Sequence, residues 1–245
     1  MPAPVARTKG ADLLTQLSEF VAHSKRFLDA QSRSMDVLRW EREIADVIKV
    51  SAIEGSFAKA KLAEAHGDIE EVERWIRNAT HLNAYLTDTA PTLLVAYGNL
   101  GYASRGLKVF RDSVDIAHGN IGQCLRFAAG LGAFQVMSHL LLQAKRGNIE
   151  LPKEEDLMQD FEIASFMSKA GVTDDQSAAI IDVAGEVLRK YRLFWLGPNK
   201  EFILDRQSSS ALMQFRIDAT YEDASKISEE AIKLLIERDL DALPF

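Results

Sequence analysis

Two glycines, Gly67 and Gly101, stand 34 positions apart near the middle of the chain, each between two amphipathic runs. A unit of that length with its turn at a fixed place marks stacked helical hairpins, none of which can bury its apolar face alone. The first unit covers residues 53–84 and the second 87–120. In the first, Gly67 suits the left-handed end of a helix and Asp68 can cap the next one, whose apolar face is Ile69, Val72, Trp75, Ile76 and Ala79. Between the units, Thr87-Asp88-Thr89-Ala90-Pro91 predicts a stop and restart, with Thr89 or Asp88 as cap and Pro91 in the first turn.

The flanks extend the helical pattern. Residues 1–10, with two prolines and a glycine, read as a disordered tail. From Asp12, Leu13, Leu14, Leu17, Phe20, Val21, Phe27 and Leu28 recur at three-to-four spacing. A second run from Met35 to about Leu62 carries Trp40, Ile44, Val47 and Ile48 on one stripe, with Gly55 as a candidate break between two helices. Beyond the repeats, helices are expected over Ile121–Gly132, Phe134–Arg146 and Glu154–Lys169. A further helix is opened by the capping box Thr173-Asp174-Asp175-Gln176 and runs to about Tyr191.

The character then changes. Residues 192–205 predict two short strands around Gly197-Pro198-Asn199, and Met213, Phe215 and Ile217 alternate with Gln214, Arg216 and Asp218 as in a third strand. Thr220 can cap a last amphipathic helix. The expected architecture is therefore mainly α: an array or bundle of antiparallel helical hairpins over 11–190, and a small βββα segment over 191–245 packed on it.

Residues 53–154, and with a shift 157–190, resemble tetratricopeptide (TPR) repeats. Ala60, Gly67, Ile76 and Ala79 fall at the pattern positions of the first unit. Leu94, Tyr97, Gly101, Gly106, Phe110 and Ser113 do so in the second. A third unit keeps Phe127, Ala128, Leu131 and Pro152, but has Gln135 where the family has its turn. The resemblance implies a superhelix whose concave groove, lined by the first helix of each hairpin, binds a protein or peptide. On this sequence it brings forward Lys61, Glu64, Val95, Asn99, Arg126 and Ala129. The plainer reading of Lys61, Glu64 and Arg126 is a solvated helix face.

Composition limits the other function classes. A net charge of −7 and a pI near 5.3 disfavour nucleic acid and anionic membranes, which need a basic field. The single cysteine, Cys124, excludes an internal disulfide framework and a CxxC metal knuckle. With no signal-peptide pattern at the start and no run of about 18 apolar residues, a cytoplasmic location is expected. No metal or cofactor is expected. His66 with Glu64 and Asp68 reads as a polar turn rather than a metal cluster.

Two further readings remain. Arg111-Asp112 followed by His118 is similar to the Arg-polar-x5-His pattern of HEPN-type helical ribonucleases, in which Arg and His flank a scissile phosphate; Arg74 and His81 have the spacing without the polar second residue. The third reading is a self-assembling protein whose aromatic C-terminal segment (Phe194, Trp195, Phe202, Phe215, Phe245) packs between protomers.

Overall fold

The computed structural model describes residues 8–29, 34–113, 121–149, 155–195, 200–205, 210–215, 217 and 219–241, with the side chains of 155–160, 200–205, 210–213 and 215 excepted. It is mainly helical, with helices packed on their neighbours. Contacts divide it into two units, Met1–Ala96 and Tyr97–Phe245.

In the first unit, α1 (Lys9–His23), α2 (Met35–Val50) and α4 (Ile69–His81) all pack against α3 (Ala52–His66), and α5 (Leu86–Leu100) begins beyond them. Most surface helices have one apolar stripe, but α3 has none. Gly55, Ser56, Ala58, Ala60, Lys61, Leu62, Ala63, Glu64 and Ala65 are all buried, on every side of the helix. Small side chains make this feasible, because they let three other helices approach closely. Around Ala58 and Leu62 the core is Leu13, Leu17, Val37, Trp40, Ile44 and Val47, with Phe20 meeting Trp40 edge-on at 5.5 Å.

Several boundaries follow from capping chemistry. Most of the expected disordered tail lies outside the described residues; Thr8 caps α1, accepting from Ala11 N–H, so that helix starts three residues before Asp12. The break between α2 and α3 falls at Ser51, whose backbone is extended and whose hydroxyl accepts from Glu54 N–H at 3.3 Å. Gly55, the expected break, lies inside α3. Its missing side chain makes room for Ile48, whose Cα would lie 3.0 Å from an added Cβ. At the α3–α4 turn Gly67 has φ +79° and Asp68 accepts from Glu71 N–H at 3.0 Å, as the sequence predicts. Helix α5 starts at Leu86, where Asp88 and Thr89 donate their N–H groups to Tyr85 O rather than capping. Pro91 consequently stands inside the helix, not in its first turn.

The second unit holds the rest of α5, then α6 (Ala103–Ser113), α7 (Ile121–Leu131), α8 (Phe134–Arg146), α9 (Glu155–Lys169), α10 (Asp174–Lys190) and α11 (Tyr221–Glu237). Helices α6 to α9 pack in sequence, α10 returns to lie against α6 and α8, and α11 packs on α10. The capping box of α10 is present, with Thr173 and Gln176 bonded reciprocally. Thr220 caps α11, accepting from Asp223 N–H at 3.1 Å.

The βββα segment expected at the C-terminus is not seen. Leu193, Phe194 and Trp195, read as a first strand, are buried, and Trp195 N–H donates to Asn99 O at 2.9 Å. The described residues contain a single antiparallel hairpin, β1 (Lys200–Asp205) with β2 (Ser210–Phe215), registered from Lys200 opposite Phe215 to Asp205 opposite Ser210. The Gly197-Pro198-Asn199 turn lies outside the described residues.

Candidate functional site

Lys61 and Glu64 are neither a solvated face nor an open groove wall. They are one turn apart on α3, 8% and 1% exposed, with Lys61 Nζ donating to Glu64 Oε2 at 2.7 Å. A charge buried among three packed helices persists only when paired, since desolvating either ion alone costs several kcal/mol. The pair therefore serves α3 and its neighbours.

On α5, in contrast, Val95 of the first unit is exposed and Asn99 of the second is half-buried. In the first unit Asp88, Thr92 and Val95 follow one another at steps of four and three, all exposed or half-buried, whereas Ala90 and Leu94 are buried. Val95, at 37% exposure, is the apolar member of an otherwise polar stripe. Ahead of it the exposed apolar side chains Leu82, Tyr85 (76%) and Leu86 lead into the helix. On α7, Arg126 is exposed and Ala129 is buried, so that pair does not present a common surface.

The arginines of the nuclease-like pattern are occupied. Arg111 makes a two-pronged bond to Asp175, Nη1 to Oδ1 at 2.9 Å and Nη2 to Oδ2 at 3.2 Å; His118 lies outside the described residues. Arg74 pairs with Glu71 on its own helix and lies 4.8 Å from the centre of the Trp75 ring. The Arg74 hydrogen bond draws the Glu71 carboxyl below its ordinary range. Around His66 every group has local work: His66 Nδ1 faces Leu28 O at 3.4 Å, Glu64 holds Lys61, and Asp68 caps α4. The described residues hold no cluster of three or more potential metal ligands.

Three charged residues of α10 act on other helices, a role that the sequence did not reveal. Asp174 accepts from Gln135 N–H at 2.7 Å and Val136 N–H at 3.2 Å, capping α8, whose own N-cap residue, Ala133, has no side chain able to do so. Two turns on, Asp182 accepts from Ser104 N–H at the start of α6. Two turns further, Arg189 Nη1 donates to Leu100 O at 2.6 Å and Gly101 O at 2.7 Å, at the end of α5, with its guanidinium 3.7 Å from the Tyr102 ring centre. Carboxylates thus meet two positive helix ends and a cation meets a negative one. One face of α10 caps three other helices. The spacing of eight and seven residues was a visible signal; its partners, up to 89 residues away, were not.

Burial raises the Asp174 carboxyl above its ordinary value of 3.8, and its two N–H bonds oppose the shift without cancelling it. A carboxyl raised in the fold binds its proton more tightly there than in the unfolded chain. Its contribution to stability therefore falls as pH rises from 3.8 to the raised folded value. Measured by urea unfolding over that window, the wild type should lose stability relative to Asp174→Asn as pH increases. A constant difference would show that Asp174 is not shifted.

Ser177, one turn along α10, is 1% exposed and its hydroxyl has no hydrogen-bond partner among the described residues. Ser177→Ala deletes a desolvated polar group and should raise stability by about 1 kcal/mol. A loss of similar size in the same unfolding measurement would mean that the hydroxyl is satisfied.

No protein-family model, curated protein or solved structure matches the chain.

Proposed function

We propose that this chain is a non-enzymatic scaffold of TPR-like helical hairpins that binds a protein or peptide, with the accessible face of α5 as a contact surface. The stripe Asp88–Thr92–Val95 on the first-unit part of α5 carries this reading. It sets one apolar side chain among hydrogen-bonding groups, the arrangement by which an interface combines an anchor with a polar surround. The repeat resemblance places Val95 and Asn99 on the inner helix of a hairpin, and Tyr85 and Leu86 add aromatic and aliphatic surface at its start. The partner is a protein or peptide rather than nucleic acid, because a chain of net charge −7 repels phosphate. The reading places the chain in the cytoplasm; among the described residues no helix is long and apolar enough to cross a membrane.

Photo-crosslinking amino acids installed singly at 85, 92 and 95 should each yield a discrete covalent adduct in the native cell. The same group at buried Leu94 should give none. Absence of adducts from all three accessible positions would rule out α5 as the contact surface.

A further inference from the structure

Helix α11 is held on α10 by one face. It buries Ile227, Glu230 accepts from the Tyr191 hydroxyl at 3.0 Å, and Arg238, just past its end, donates to Glu186 at 2.7 Å. These contacts set the rotation of the helix about its own axis. The opposite face then carries Tyr221, Ser225, Glu229, Ile232 and Ile236, at steps of four, four, three and four, all exposed. Residues so spaced form one stripe, about 22 Å long at the helical rise of about 1.5 Å per residue.

Three of the five are large and apolar: Tyr221 is 92% exposed, Ile232 56% and Ile236 57%. Single exposed apolar side chains are ordinary on a protein surface, whereas a row of them on one helix face marks a contact. The charged groups say of what kind. α11 carries five carboxylates against two ammonium groups. Lys226 is held by Glu222 and Lys233 by Glu237, each one turn away, and Glu230 is turned toward α10. Glu229, on the stripe itself, accepts from the Ser225 hydroxyl at 3.4 Å and has no cationic partner among the described residues.

We propose that the outer stripe of α11 is a docking surface for a basic amphipathic helix of another protein. The apolar side chains of that helix cover Tyr221, Ile232 and Ile236, and a lysine or arginine beside them pairs with Glu229. The place of Glu229 argues against a second copy of this chain. It lies midway between Tyr221 and Ile236, so two-fold pairing of the stripe with itself, parallel or antiparallel, sets two carboxylates against each other. Nucleic acid and anionic membranes meet the same like-charge opposition. The contact is smaller than a standard interface, and the complex is accordingly weak and salt-sensitive. α11 lies in the second unit, so this surface does not depend on the one proposed for α5 in the first.

The probe is a fluorescein-labelled helical peptide about four turns long, with leucines on one stripe and lysines beside it. Fluorescence anisotropy with the full chain should show saturable binding, and the same peptide with glutamates for lysines should bind at least tenfold less tightly. Ile232→Gln combined with Ile236→Gln should weaken the lysine peptide at least tenfold. Glu229→Lys should weaken the lysine peptide and strengthen the glutamate peptide. All three side chains are exposed, so these variants keep α11 folded and docked through Ile227, which circular dichroism checks. The proposal fails if binding is not saturable, if the glutamate peptide binds equally well, or if the isoleucine substitutions leave affinity unchanged. It fails also if Val95→Glu abolishes binding, which would seat the peptide on α5, or if sedimentation shows the α11 substitutions dissolving a dimer of the chain alone.

Discussion

Glu64→Ala should destabilise the first unit by about 3–5 kcal/mol, because it leaves the Lys61 ammonium buried without its partner. This is far more than a surface pair would cost, since exposed ion pairs contribute about 0–1 kcal/mol. The control is the double substitution Lys61→Met with Glu64→Leu, which fills the site with apolar groups and should be neutral or stabilising. Denaturant unfolding separates the two cases. If Glu64→Ala costs less than 1 kcal/mol, the pair is hydrated and α3 is not enclosed as described.

A comparable loss should follow in the second unit from Gly185→Ala. An added Cβ on α10 would lie 2.8 Å from Gly101 Cα, nearer still to Gly101 O, and 2.9 Å from the Arg189 Nη1 that binds the same carbonyls. Backbone cannot yield as a side-chain tip does, and the cost should be about 2–3 kcal/mol. Gly101 cannot relieve the clash by substitution, because its own φ is +65° and its Cβ would lie 2.7 Å from Gly185 Cα. Gly98→Ala supplies the opposite sign in the same assay. That residue lies inside α5, a Cβ there meets nothing within 4 Å, and alanine should add about 0.5–1 kcal/mol of helix stability. Equal effects at 98 and 185 would remove the close approach of α10 to the α5–α6 turn.

The contrast between these sites shows what could be read from the sequence. Helix ends made by local chemistry were legible: Gly67-Asp68, the Thr173 box and Thr220 each act within four residues of themselves. Contacts across the chain were not. Gly55 looks the same whether it breaks a helix or admits Ile48, and only the neighbour decides. Lys61 and Glu64 at a three-residue spacing look like any surface pair. Their burial comes from the alanines around them on α3, which leave no apolar stripe to reveal that the helix is enclosed. Asp174, Asp182 and Arg189 resemble ordinary surface charges because the helix ends they cap lie elsewhere in the sequence. At 193–195 a run of large apolar residues was read as part of a strand, whereas these residues are buried and the strands among the described residues begin at Lys200. Of the residues that the repeat resemblance brought forward, Val95 is exposed and Asn99 half-buried on α5, whereas Lys61 and Glu64 are buried on α3.

That last difference gives the most direct test of the proposed function. Once a crosslinked partner is identified, its affinity should be measured for Val95→Glu and for the Lys61→Met, Glu64→Leu double variant, both checked for an intact fold. Binding through α5 predicts that Val95→Glu weakens the complex at least tenfold, as a buried charge at an apolar anchor should, while the α3 double variant binds like the wild type. Wild-type affinity with Val95→Glu, combined with loss of binding in the double variant, would contradict it and return the site to α3.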